Sequence, residues 1–329
     1  MFARSCGLRL KAQFLHEKGD PMRLNSLCRR IGLALASGVC IAALTACGGG
    51  GDVSTKATGL DTIEPGVIRV AVQPYAPYTS LKADQLTGLD SDILNAAAKN
   101  LGLQVQPQLT DFNGMLGGVQ SRRVDVAIGG IAWSADRQKE VLFTDPVYYS
   151  PPAMAVHGSD TYKTIADLEG KDLGTVTGYV WVKAIQSIPG ATLHAYPDAN
   201  GVFNDLSSGR IQAGFLDPLI IIDAKAKRPD FDFTTQYLTP PTAEQIKAVP
   251  ALEYLAPYQV SFYVAKQEPK LEAALSKEID AMYQNGELAK LITKYGGDPK
   301  QFLVPAPEIS TARQGVDRAA GWTAPESTS

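Results

Sequence analysis

From Val67 onward the chain alternates short runs of consecutive apolar residues with longer stretches in which apolar residues recur every three or four positions. VIRVAVQ, from Val67, has the length and β-branched content of a buried strand. LDSDILNAAAKNLG, with one apolar face and a closing glycine, has the pattern of an amphipathic helix. LQVQPQL then predicts a strand, NGMLGGVQSRR a short helix and VDVAIGG a third strand. A second series follows, in which LGTVTG, ATLHAYP and IQAGFLD predict strands and VWVKAIQSIPG, ANGVFNDLSSGR and PLIIIDAKAK predict helices. Such alternation predicts an α/β fold with mainly parallel sheets covered by helices.

Two segments interrupt the rhythm. DPVYYSPPAMAVH is extended and proline-marked, which suits a crossover between two lobes; PYQVSFYVAK is a second crossing, ahead of the helical EPKLEAALSKEIDAMYQNGELAKLITKYGG. The expected organisation is a first lobe built from residues 61–151 and 261–303 and a second from 152–260, with the two crossovers as a hinge. Beyond Leu303 the sequence VPAPEISTARQGVDRAAGWTAPESTS has no periodicity and many proline, serine and threonine residues. That composition predicts a disordered tail over 304–329.

The N-terminal residues do not share the α/β pattern. MRLNSLCRR, from Met22, is a short basic run; IGLALASGVCIAALTA is about fifteen apolar or small residues, and the two together predict an export signal over 1–46. A start at Met22 gives it an ordinary length. LTAC resembles the lipobox of bacterial lipoproteins, which implies lipid acylation of Cys47, with the glycine-rich 47–60 as a flexible tether. Cys6, Cys28 and Cys40 all precede that point, so the mature chain is expected to hold no disulfide and no cysteine-ligated metal. Removing the seven basic and two acidic residues ahead of Cys47 from the 31 and 34 of the whole chain leaves 24 and 32, a net charge of −8. An acidic exported chain without basic clusters is a poor partner for nucleic acid, and its membrane contact is expected through the anchor alone.

The chemistry is concentrated at predicted strand ends, where open α/β sheets bind ligands beside helix N-termini. In GGIAWSADR the strand closes at Gly130, Ser134 suits an N-cap, and Arg137 falls in the first helical turn. Arg137 then either meets an anion with its planar fork or is a solvated member of a charged first turn. LGTVTGYVW reads as a strand, a Thr-Gly turn and a helix start, so the amides from Thr177 to Val180 are expected to face the same anion. Asp217, before Pro218, is either an N-cap or a carboxylate turned toward an ammonium group. Tyr75 and Phe112 follow the first two strands, and Trp133 and Tyr179 add aromatic surface. His157 and His194, the histidines left in the mature chain, lie in no metal-ligand spacing, and no nucleophile or phosphate-loop motif is present. No catalytic residue, metal or cofactor is assigned, and an enzyme is not expected.

From about Gly66 to Phe302 these pieces resemble the family 3 periplasmic solute-binding proteins that feed amino-acid ABC importers. The resemblance rests on GVIRVAVQPYAPY, LTGLDSDILNAAAKNLG, DFNGMLGGVQSRRVDVAIGGIAWSADRQKEVLFTDPVYYS, LEGKDLGTVTG and LSSGRIQAGFLD. It implies the two-lobed type II periplasmic-binding-protein fold, a small zwitterionic ligand, a membrane permease as partner and a monomeric receptor. Arg137 stands where the family grips the ligand α-carboxylate, Asp217 where it holds the α-ammonium, and Tyr75 and Phe112 where its aromatics stack. The sequence departs from the pattern at Ala132, where a serine or threonine is usual, and at Tyr179 and Val180, in place of a Thr-Thr turn. Each missing hydroxyl removes about 1 kcal/mol of hydrogen bonding, while the backbone amides remain. Relatives for basic amino acids often carry an acidic residue near Gln73, so a cationic side chain is not expected. Gln73 and Gly130 complete the expected pocket. Cyclohexadienyl dehydratases share the fold, and a dehydratase of that kind is the alternative reading.

Overall fold

The computed structural model describes residues 59–327. The expected export signal, the Cys47 anchor and all but the last two residues of the tether lie outside the described residues. Among the described residues no helix is long and apolar enough to cross a membrane.

Two five-stranded sheets form the cores of two lobes. The first has the order Gln104–Leu109, Val67–Val72, Val126–Ala127, Tyr263–Val264, Leu142–Phe143. Its first three strands are parallel and the other two antiparallel to their neighbours. The second has the order Thr192–Tyr196, Asp172–Val176, Ala213–Phe215, Ala153–His157, Phe233–Tyr237, again three parallel strands followed by two antiparallel ones. The parallel trios come from the predicted strand and helix series, as βαβ connection requires. Two of the four antiparallel additions, Ala153–His157 and Tyr263–Val264, come from the crossovers. Ala153–His157, expected as part of an extended connection, is a fully paired strand of the second sheet.

The connection itself is narrower than expected. Tyr148–Ser150 and Tyr258–Val260 pair antiparallel as a two-stranded ribbon joining the lobes, with Tyr148 opposite Val260. The helices follow the apolar periodicity closely. Leu89–Leu101 buries Leu89, Ile93, Leu94, Ala97 and Leu101, and Gly102 ends it in the left-handed conformation, φ 71°. Each fully buried Ile or Leu contributes about 1.5–3 kcal/mol of apolar transfer, so the helix is held mainly by that face.

The C-terminal segment overturns the expectation of a disordered tail. After a short helix, Pro307–Ser310, Arg313 is completely buried. Its guanidinium donates to the carbonyls of Thr144 at 2.7 Å and Phe143 at 3.0 Å, and pairs with Asp317 at 2.5 Å. The same guanidinium lies 5.7 Å from the Trp133 ring and 5.6 Å from the Trp322 ring. Arg318 bridges Asp145 at 2.8 Å and Glu272 at 2.9 Å. Tyr149, in the first ribbon strand, donates its hydroxyl to the Pro325 carbonyl. The segment is ordered by charged and aromatic side chains reaching the first lobe rather than by an apolar stripe, which is why periodicity did not reveal it.

Candidate functional site

The loops at the strand ends converge between the lobes. After Val67–Val72 the QPYAPY stretch closes a tight loop in which Tyr75 N–H donates to Thr79 O at 2.8 Å and Tyr78 N–H to Tyr75 O at 2.9 Å. Tyr75 and Tyr78 stack with centroids 5.5 Å apart. Both rings point toward the second lobe, where Tyr75 donates its hydroxyl to Asp217 Oδ2 at 2.8 Å and Tyr78 accepts from Leu219 N–H at 3.2 Å.

Asp217 occupies the N-cap position of the helix Pro218–Lys227, with Pro218 opening the helix, yet its carboxylate caps no amide of that helix. Of its two possible roles, the N-cap is thereby removed. The second oxygen instead accepts the Tyr258 hydroxyl from the ribbon. Burial pushes the Asp217 carboxyl up to about 7; the two tyrosine hydroxyls oppose that rise by stabilising the charged form. An acceptor with both oxygens facing phenols is suited to an ammonium donor.

Arg137 faces the same space from the first lobe. Ser134 caps the single turn Ala135–Gln138 by accepting from Arg137 N–H at 3.2 Å. The guanidinium then extends over Phe112, 5.3 Å from the ring centre, and donates to Ala132 O and, across the lobes, to Gly178 O, both at 2.9 Å. Burial lowers its pKa, but a guanidinium remains charged at any working pH. Arg137 is therefore not a solvated helix-start residue.

Between these two groups lies a cavity lined by Phe112, Gly130, Ala132, Arg137, Tyr179, Val180, Trp181, Asp217 and Tyr258. Seven of the positions singled out in the sequence meet there: Arg137, Asp217, Ala132, Val180, Phe112, Tyr179 and Gly130. Tyr75 and Gln73 stand one layer back, Tyr75 on Asp217 and Gln73 donating to the Tyr179 hydroxyl at 2.8 Å. Trp133 does not join them. Its indole N–H donates to Asp317 at 3.3 Å, so the ring faces the C-terminal segment instead of the cavity. Adjacent residues on an extended strand point to opposite sides, and Ala132 takes the cavity side.

Three residues at or behind the cavity were not singled out. Tyr258 arrives on the ribbon, and Trp181 opens the helix Trp181–Ser187 with its indole N–H buried and without a hydrogen-bond acceptor among the described residues. Asp90 lies beneath the strand-end turn, fully buried, accepting from Gly129 N–H at 3.0 Å, Gly130 N–H at 2.8 Å and the Tyr148 hydroxyl at 2.7 Å. The turn it holds needs glycine: Gly129 and Gly130 have φ of 128° and 69°, and a Cβ on Gly130 would lie 3.0 Å from Asp217 Oδ2. Buried desolvation moves Asp90 up to about 6.

The chain as a whole is similar to known proteins. Residues 68–298 match the bacterial extracellular solute-binding proteins, family 3. The chain belongs to that family. Among curated relatives, the ABC transporter arginine-binding protein 1 of Escherichia coli (strain K12) is 31% identical over 169 residues, 51% of this chain and 69% of the relative. The probable amino-acid-binding protein YxeM of Bacillus subtilis (strain 168) is 26% identical over 78% of this chain and 90% of its own length. The solved substrate-binding protein of an amino-acid ABC transporter superposes with a TM-score of 0.60 at 26% identity, covering 70% of this chain and 99% of that one. As a family 3 solute-binding protein, the chain has the two-lobed α/β fold expected of it. The family match stops at residue 298, so the buried Arg313 and the segment around it lie beyond the matched region.

Proposed function

We propose that this solute-binding protein is an extracytoplasmic receptor for an amino acid or related zwitterionic carboxylate, which it delivers to an ABC importer, and that Cys47 carries its lipid anchor. The observation that carries the reading is the placement of Arg137 and Asp217 in one cavity from opposite lobes. Arg137 exchanges its carbonyl partners for the ligand carboxylate, and Asp217 exchanges its phenols for the ammonium. A ligand held by both lobes favours the closed form, because only differential contact moves a two-state equilibrium. Relatives named for arginine, histidine and cystine binding support the amino-acid class. Gln73 is neutral and is already committed to Tyr179, which argues against a cationic side chain here. Trp181 N–H and the Val180 backbone supply further donors where the family hydroxyls are missing.

A thermal-shift screen of the mature protein against amino acids, betaines and simple carboxylates tests the proposal. A zwitterion that raises the melting temperature in a concentration-dependent way supports it, and a response to carboxylates lacking an ammonium group contradicts it.

One observation favours a second reading, a dehydratase of the cyclohexadienyl type. A buried carboxyl raised to about 7, as at Asp217, holds a proton that a general acid could deliver to a leaving hydroxyl. One solved structure with this fold is an ancestral amino-acid-binding protein described as a precursor of cyclohexadienyl dehydratase. Turnover of prephenate or arogenate, lost in Asp217→Asn, would establish the enzyme reading over the receptor.

A further inference from the structure

A second cavity, of about 370 Å³, opens beside the first and shares Ala132, Val180 and Tyr258 with it. Its volume falls in the range of small-molecule pockets, roughly 300–1,000 Å³. Three parts of the chain build it. The strand-end loop gives Trp133, the second lobe gives Ile246 and Tyr254, and the C-terminal segment gives Ile309, Ala312 and Val316. The C-terminal wall is fastened in place, because Gln259 donates to Ile309 O at 2.5 Å and Asp317 accepts from the Trp133 indole. The Trp133 ring is itself fixed from behind by the buried Arg313 guanidinium.

We infer that this cavity receives the side chain of the bound amino acid, and that the C-terminal segment beyond the family match thereby sets specificity for a long apolar or aromatic substituent that carries no carboxylate. The inference rests on the amino-acid reading of the neighbouring site. Ala132, Val180 and Tyr258 line both cavities, so a ligand held at Arg137 and Asp217 lies directly beside this second space. The walls are mostly apolar or aromatic. Its charged lining residues, Glu253 and Glu308, are both acidic and exposed, so a side chain ending in a carboxylate is repelled. Trp133, placed away from the first cavity, thus acts on the ligand from the second.

The test is calorimetric titration of the mature protein with alanine, phenylalanine and glutamate, repeated on Ala312→Trp and Val316→Glu. Both positions are exposed on the cavity wall, so neither change disturbs a buried core. Phenylalanine is expected to bind the unaltered protein about tenfold or more tightly than alanine, from the apolar area it buries, with glutamate weakest. Each variant is expected to remove about tenfold from phenylalanine binding while leaving alanine within about twofold. Equal affinities for alanine and phenylalanine, or variants that weaken both alike, would overturn this inference and leave the amino-acid reading standing. Failure of every amino acid to bind the unaltered protein would overturn both.

Discussion

Tyr75 and Asp217 join the two lobes by a hydrogen bond of 2.8 Å, phenol to carboxylate, at the centre of the cleft. Asp217 N–H also donates to the same phenol oxygen at 3.3 Å, so one hydroxyl serves two groups of the second lobe. Tyr75→Phe is expected to lower the stability of the ligand-free protein by about 1–2 kcal/mol, the cost of leaving a buried carboxylate with one partner fewer. Urea unfolding monitored by fluorescence measures it; an unchanged midpoint would mean the bond contributes nothing to lobe contact.

The Asp217 carboxyl gives the protein a pH dependence of definite sign. Its folded pKa, up to about 7 from an ordinary 3.8, means that the native state binds more protons than the unfolded chain across that interval. Stability contributed by this group therefore falls as pH rises from about 4 to 7. Asp217→Asn removes the contribution, so the difference in stability between variant and parent should grow in the variant's favour over that window. Ligand affinity in the parent should rise over the same window, as the carboxylate forms. Melting temperatures and titrations at several pH values give both slopes.

Asp90 acts on the site without touching the cavity. Its carboxylate fixes the Gly129 and Gly130 amides and the Tyr148 hydroxyl of the ribbon. Asp90→Ala should cost about 2–3 kcal/mol, since two buried N–H groups lose their acceptor, and should also weaken ligand binding by displacing the loop that leads to Ala132. Denaturation and calorimetry on the same variant separate the two effects.

The C-terminal network should resist truncation of its centre poorly. Arg313→Ala leaves Asp317 with the longer 3.8 Å contact to Arg318 as its remaining ion pair, and removal of one partner from a buried pair costs about 3–5 kcal/mol. A melting temperature unchanged from the parent would contradict the burial described for Arg313.

The regular elements were legible because their signals are local: a helix such as Leu89–Leu101 announces itself by spacing and a closing glycine. Arg137 and Asp217 were legible as strand-end residues, but whether they faced solvent, helix or cleft depended on the other lobe. Asp217 shows why, since its partners Tyr75 and Tyr258 lie 142 and 41 residues away. Tyr258, Trp181 and Asp90 carried no local mark of their roles. Trp133 reads from the sequence as a pocket aromatic, but its ring lies on the other side of its strand, against a segment with no periodicity to signal order. That segment is fastened by Arg313 and Arg318, and charged side chains that pair across a fold leave no pattern along the chain.

The central claim is that Arg137 and Asp217 together hold one zwitterion. Isothermal titration of Arg137→Ala with the best ligand of the parent tests it most directly. The account predicts a loss of binding of about a hundredfold or more, in keeping with about 3 kcal/mol for a desolvated charged contact, with the melting temperature of the ligand-free protein lowered little. An affinity equal to that of the parent would contradict it.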